Sequence, residues 1–387
     1  MPNWFWPEPH ARPKVDASMG WTKNLAALLA VAGVLMAAEP RWRVSYLYDE
    51  LDSSLTISDL KFPTPRRGLA AGVLRTGRAA KPVIISTNDG GLTWSMDKLK
   101  EQPVSLFFLN DSLGWMVTAR GLWKTEESGR SWSKISSPKD VLKVYFLDPN
   151  RGFAIGARKT ILETADGGKS WQAPPVAEQV STAEANTVFA TLDFLQGRFG
   201  IIAGWSRPPR PRASRFPDWM DPEAALKQRE LPSSGVVLET RDGGRNWTPQ
   251  VVSMFGRITQ VALDPAAAAL TLVEFDQGFE WPSEVFHVDL RTGKSNRVFR
   301  ERDRMVTALC LDGAGNGYLA AIERQGTLRN SPIPGKLHVL RSTNLQQWRD
   351  MRVDYRAVAH RAILAAAGPA HLWAATDTGM ILRLENE

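Results

Sequence analysis

From residue 41 onward, short apolar segments recur in sets of three. The first of each set alternates apolar with polar or small positions: "ISDLKF" (57–62), "VSLFFL" (104–109), "LKVYFL" (142–147), "FATLDF" (189–194), "ITQVAL" (258–263), "VTALCL" (306–311) and "RAILAA" (361–366). The second is rich in small residues, as in "GLAAGVL" (68–74), "LGWMVTA" (113–119), "RGFAIGA" (151–157) and "HLWAATD" (371–377). The third leads into a turn, as in "PVIIST" (82–87), "TILETA" (160–165) and "GVVLET" (235–240). Period-two alternation over short runs bounded by turn residues predicts strands. Each kind of segment occurs seven times.

After the third segment one turn keeps returning. It reads "STNDGGLTW" (86–94), "KTEESGRSW" (124–132), "ETADGGKSW" (163–171) and "ETRDGGRNW" (239–247), with a shortened copy, "RSTNLQQW", at 341–348. The shared pattern is [ST]-x-[DE]-[GS]-G-x-[STN]-W, followed by a fourth short strand. The tryptophans step by 38 residues (94 to 132) and 39 residues (132 to 171). Self-similarity at this period marks a repeat architecture. Four strands per repeat, all short, predict an all-β, seven-bladed β-propeller. The last repeat runs out of chain before its fourth strand, while a spare strand, "RWRVSYLYDEL" (41–51), precedes the first. The expectation is that this N-terminal strand completes the last blade, which removes an open sheet edge.

The turn explains itself locally. Paired glycines permit positive φ, an aspartate can accept backbone N–H groups across the turn, and the Ser, Thr or Asn before the tryptophan can add a side-chain bond. The tryptophan buries a large ring against a neighbouring sheet. Asp89, Gly91 and Trp94 in the first copy, Gly129 and Trp132 in the second, Asp166, Gly168 and Trp171 in the third, Asp242, Gly244 and Trp247 in the fourth, and Trp348 in the shortened copy therefore read as structural fasteners. They also account for much of an unusual total, fifteen Trp against five Tyr. One carboxylate per turn is too sparse to cage Ca²⁺, which takes roughly 6–8 oxygens.

This motif resembles the Asp-box, or BNR, repeat of sialidases and related propellers. The fuller pattern adds "D-x-x-x-G-[WF]-x-[VI]" ahead of the box and resembles the photosystem II stability/assembly factor-like family. It is clearest at 103–135 and 141–174, weaker at 57–95 and 187–249, and faint from 257 onward. The resemblance implies the propeller fold over most of residues 41–387. It leaves function open, since Asp-box propellers include hydrolases, receptors and assembly factors.

The chain has 387 residues, 43% hydrophobic and 23% charged, as expected of a folded globular protein. Its formal charge of +7 is dispersed along the chain and favours acidic partners only weakly. Cys310 is the single cysteine, so no internal disulfide exists; in "VTALCL" it reads as a small buried hydrophobe. Residues 1–38 read as a signal peptide or short membrane anchor, with translation starting at Met19 as one option. The apolar run Leu25 to Ala38 is shorter than the roughly 20 residues a span needs. Either reading places the bulk of the chain outside the cytoplasm, in the periplasm or beyond the cell. Nucleic acid is then not an expected partner, and membrane contact is expected only through an uncleaved N-terminus.

Enzyme chemistry finds little footing. A sialidase, by resemblance, needs an "[FY]-R-I-P" strand, three arginines and a Tyr–Glu pair; the nearest sequence, "FPTPRRGLAAG", lacks the pattern. Glu274, Asp276, Glu280 and Glu284 surround Trp281 and could build one wall of a sugar cleft, although a solvated loop with a packed Trp explains them as well. His287, His338, His360 and His371 lack metal-ligand spacing. No catalytic residue, metal or cofactor is assigned.

One segment breaks the repeat. Residues 206–234, "SRPPRPRASRFPDWMDPEAALKQRELPSS", separate the second and third segments of the fourth repeat. Arg207, Arg210, Arg212 and Arg215 precede the first acid, Asp218, and alternate with prolines that favour extended chain. "DPEAALKQREL" then reads as a short helix capped by Asp221. With Phe216 and Trp219, the four arginines are candidates to grip carboxylates, phosphates or an acidic protein segment. The sequence points to a non-catalytic exported propeller, a scaffold or assembly factor that binds another protein through one face. The alternative is a carbohydrate-binding or glycoside-hydrolysing propeller.

Overall fold

The computed structural model describes residues 40–207, 220, 232–275, 280–323 and 333–385. Their strands form seven sheets, the blades of a propeller, antiparallel save for one short parallel pair in the last. The innermost strands are Ser53–Lys61, Pro103–Phe108, Val141–Phe146, Thr187–Leu195, Arg257–Asp264, Arg304–Leu311 and Ala362–Ala366, for blades 1 to 7 in turn. They converge on a central channel.

The last blade closes as expected. Its strands Ala362–Ala366, Leu372–Thr376 and Met380–Glu385 are completed by Arg41–Leu47, which runs antiparallel to Met380–Glu385 from Arg41 opposite Glu385 to Leu47 opposite Met380. The closing strand is covered in turn. Arg352–Val353 pairs with it in parallel, and the Asp354 amide donates to the Trp42 carbonyl at 2.9 Å.

Blade 3 departs from the four-strand expectation. It has only Val141–Phe146, Gly152–Gly156 and Ile161–Thr164, and its fourth position is reduced to one bridge, Glu163 to Gln172. The sequence there runs "QAPPV", and prolines cannot donate to a ladder. A one-turn helix, Val176–Gln179, follows instead, and Val176 and Val180 pack into the core between blades 3 and 4.

Packing explains the pattern of small residues. Second strands such as Gly114–Thr118, Gly152–Gly156 and Leu372–Thr376 are buried along their whole length, because a neighbouring blade covers each face. The rings bolt blades together. Trp115 of blade 2 stacks on Phe146 of blade 3 at 3.6 Å, and Trp373 of blade 7 stacks on Phe62 of blade 1 at 3.4 Å. Gly152 precedes Phe153 because a Cβ there would lie 2.6 Å from the Phe146 ring.

The innermost strands share a second device. Six of the seven carry a register shift, as between Ile57 and Asp59, Val141 and Lys143, and Ile258 and Gln260. A side chain beside the bulge reaches the next blade. Asp59 accepts the Leu106 amide at 2.7 Å, Gln260 accepts that of Leu309 at 2.8 Å, and Thr307 accepts that of Ala362 at 3.0 Å. Bulges re-aim side chains in this way.

Among the described residues no helix is long and apolar enough to cross a membrane. The N-terminal segment 1–38 lies outside them. Cys310 is partly buried against the core between blades 6 and 7.

Candidate functional site

Successive turns of an antiparallel blade alternate between its two ends. The boxes join third and fourth strands on one face; the insertion joins second and third strands on the other.

The boxes are fasteners, built around a buried threonine. In the first, Gly91 N donates to Thr87 Oγ1 at 2.9 Å, and Thr87 Oγ1 donates to Asp89 Oδ1 at 2.8 Å. Asp89 Oδ1 also accepts the amides of Leu92 and Thr93, and Asp89 Oδ2 accepts the Thr93 hydroxyl at 2.6 Å. Thr164–Asp166–Ser170 repeats this arrangement, as does Thr240–Asp242–Asn246 with an amide in place of the hydroxyl. In the second box Glu127 replaces Asp. Its carboxylate accepts only the Ser131 hydroxyl at 2.8 Å, since the longer side chain overshoots the turn amides. The shortened copy keeps the logic one residue tighter: Asn344 Oδ1 accepts the amides of Gln346 and Gln347.

Each box ring packs on the preceding blade. Trp94 Nε1 donates to Ser45 Oγ on the closing strand at 2.9 Å, and Trp171 Nε1 donates to Ser136 Oγ of blade 2 at 3.3 Å. Ser136 stands four residues after Trp132. The same offset gives Lys98 in blade 1 and Pro175 in blade 3, neither an acceptor. Correspondingly, Trp132 Nε1 and Trp247 Nε1 are buried without a partner among the described residues.

The hydrogen bonds set the charge of these turns. The Thr93 hydroxyl and amide hold Asp89 well below the usual carboxylate range, and the Ser170 hydroxyl and amide do the same for Asp166. The Asn246 amide and side chain bring Asp242 down to about 2. A folded-state pKa below the unfolded value of about 3.9 stabilises fully above that value and is lost as pH falls through the folded pKa. The urea midpoint should therefore fall as pH drops from about 4 to 2. Asp166→Asn should flatten that slope; an unchanged slope would mean these carboxylates do not report on folding.

The opposite face carries the other chemistry. The insertion leaves blade 4 after Phe199–Ser206 and returns at Ser233–Thr240. Arg207 sits at its root, its amide donating to Asn186 O at 3.0 Å and its Nε to Ser233 Oγ at 3.3 Å. Arg210, Arg212, Arg215, Phe216 and Trp219 lie outside the described residues, as does the helix expected at 221–231.

Beside this root lies a group the sequence did not bring together. Arg257 approaches the Trp205 ring at 5.5 Å. Arg300 and Arg302 both stack on Trp281, at 4.3 and 5.1 Å. Glu284 holds Arg300 at 2.9 Å and Arg297 at 3.4 Å, and Glu280 pairs with Arg302. Glu274 grips Arg361 of blade 7 through two bonds, 2.6 and 3.1 Å, which keep that guanidinium firmly protonated. Glu274 and Glu284 are thus buried, not solvated, and their oxygens are committed to arginines. Asp276 lies outside the described residues. Arg297, Arg302 and Arg361 each expose about half or more of the side chain, whereas Arg300 and Arg257 are mostly covered, at 28% and 34%.

Comparisons agree with this architecture. A family profile, Photosynthesis system II assembly factor YCF48, matches residues 137–208. Among solved structures, one described as YCF48 bound to D1 peptide is similar with a TM-score of 0.57 at 18% identity, covering 89% of this chain and 97% of that one. YCF48 from Cyanidioschyzon merolae is similar with a TM-score of 0.56 at 15% identity, covering 89% and 98%. The β-propeller domain of the Trilobed protease from Pyrococcus furiosus has a TM-score of 0.50 at 10% identity, covering 86% and 96%. A comparison with curated protein sequences finds no match. The chain is a seven-bladed Asp-box propeller that resembles YCF48.

Proposed function

We propose that this chain is a non-catalytic scaffold or assembly factor that binds a protein segment through the face opposite its boxes. The observation that carries this reading is the trio of Trp281, Arg300 and Arg302 in blade 5, on the same face as the root of the Arg-rich insertion in blade 4. Carboxylates and an indole hold these guanidiniums in place, with Arg302 keeping most of its side chain open and Arg300 mostly covered. Oriented guanidiniums suit bidentate recognition of carboxylates, and Arg and Trp are the residue types that dominate binding energy at interfaces. A partner segment bearing carboxylates fits that chemistry. The similar YCF48 structure holding a D1 peptide supports a peptide-binding role for such a propeller. The apolar stretch at 25–38 supports a place outside the cytoplasm, in the periplasm, at the membrane or beyond the cell. The commitment of Glu274 and Glu284 to arginines weighs against a glycosidase, which needs two carboxylates facing a sugar.

The test is quantitative capture. The tagged protein is crosslinked in native extract, the partner is identified and purified, and its Kd is measured for three proteins. Arg300→Ala/Arg302→Ala should weaken binding by about tenfold or more, since charged hydrogen bonds contribute roughly 1.5–3 kcal/mol. Replacing 206–234 by a short Gly-Ser turn should also weaken it. Equal Kd values for all three would place the partner elsewhere and overturn the reading.

A further inference from the structure

The seven innermost strands enclose a channel of about 350 Å³. That is at the low end of the roughly 300–1,000 Å³ of small-molecule sites, and over ten times the ~30 Å³ share of one water. Most of its lining is apolar or already satisfied. Ser105 donates to Leu142 O, Thr191 accepts the Val261 amide, and Gln260 accepts the Leu309 amide.

Its charged lining is Asp59, Lys61 and Lys143. Asp59 gives one oxygen to the Leu60 amide and the other to the Leu106 amide, at 2.8 and 2.7 Å, and meets Lys61 at 3.3 Å. The Lys143 side chain makes no hydrogen bond or ion pair with any described residue. It sits one blade beyond the Asp59–Leu106 stitch, on the bulge of its own strand. Asp193, the nearby carboxylate of blade 4, accepts the Leu263 and Phe194 amides, and its pKa is raised by burial to about 6. Two lysines against one lining aspartate leave the channel wall at +1. Burial first, and the Lys61 charge second, lower the proton affinity of Lys143, against the opposing charge of Asp59. Lys143 is half-buried, and the Asp59 carboxylate that acts on it is already shared with two amides and Lys61, so a partly desolvated ammonium is left under-compensated.

We propose that the channel binds a small oxyanion of the phosphate type between the Lys61 and Lys143 ammoniums. Lysines bind phosphate as compact point charges, and a dianion would compensate both. This site is separate from the proposed protein-binding face and does not depend on it.

The probe is inorganic phosphate, titrated at constant ionic strength against chloride into the full chain, with Tm and calorimetric affinity as readouts. Phosphate should raise Tm saturably, and acetate should do so less. Lys143→Gln should lose at least tenfold in phosphate affinity, and in phosphate-free buffer should match or exceed the wild-type Tm. Arg300→Ala/Arg302→Ala should keep the wild-type affinity. Lys61→Gln, at a side chain 40% exposed, gives the same comparison should Lys143→Gln fail to fold. No saturable effect in wild type overturns the proposal. So does unchanged affinity in the lysine variants, which would place the anion on surface arginines.

Discussion

Trp42→Ala should cost the propeller about 3–5 kcal/mol, the range for truncating a buried indole. Trp42 is 1% exposed and lies in a core built from blades 6 and 7. Its Nε1 points at Met351 Sδ at 3.4 Å, and its carbonyl takes the Asp354 amide. The residue therefore joins three parts of the chain: the closing strand, the strand Met380–Glu385 and the link at 351–354. Losing it leaves a cavity and weakens the contact that completes the ring. Urea unfolding followed by tryptophan fluorescence measures the effect. A loss below about 1 kcal/mol would mean the closing strand contributes little to stability.

Trp115 should matter about as much, through a different contact. Trp115→Ala removes a fully buried ring stacked on Phe146, so the cost is again roughly 3–5 kcal/mol. Trp115→Phe separates the two roles of the indole. It keeps a ring against Phe146 and loses the bond from Nε1 to Gly167 O at 3.0 Å, for a cost of about 1 kcal/mol. Gly167 belongs to the box of the next blade. Amide exchange at Lys169 and Ser170 should accelerate in both variants if the indole pins that turn. Unchanged exchange there would show that the box holds itself without its neighbour.

Much of this architecture is written locally. The boxes are legible because their bonds span four residues at most, from Thr164 to Gly168 or Asp166 to Ser170. Ring closure is legible from the spare strand at 41–51, which has no partner within the first repeat. The prolines at 174 and 175 explain why blade 3 lacks a fourth strand, although the repeat pattern alone predicts one. What the sequence hides is convergence. Glu274 meets Arg361 across 87 positions, so an acidic cluster that suggests a sugar cleft becomes a set of ion pairs in which Glu274 and Glu284 are buried. Arg300 and Arg302 look like part of a dispersed charge until Trp281 folds beneath them. Lys61 and Lys143 read as polar positions of alternating strands, and only the closed ring aims both at one channel. The periodicity shows which residues are strands, and the ring shows which strands share a space.

The closing strand also sets an order of events. Residues 41–47 are made long before residues 380–385, their partners in the last blade. While the chain is being synthesised, Trp42 and its neighbours have no ladder to join, and an unpaired apolar strand is the kind of segment that aggregates. Each earlier blade can form from contiguous sequence, but the final one joins positions more than three hundred residues apart. Contacts at such separation are slow to form, because a long loop must close before they contribute. The completed ring is therefore a late event in folding. Whatever keeps the first strand from mispairing must act until the last one arrives.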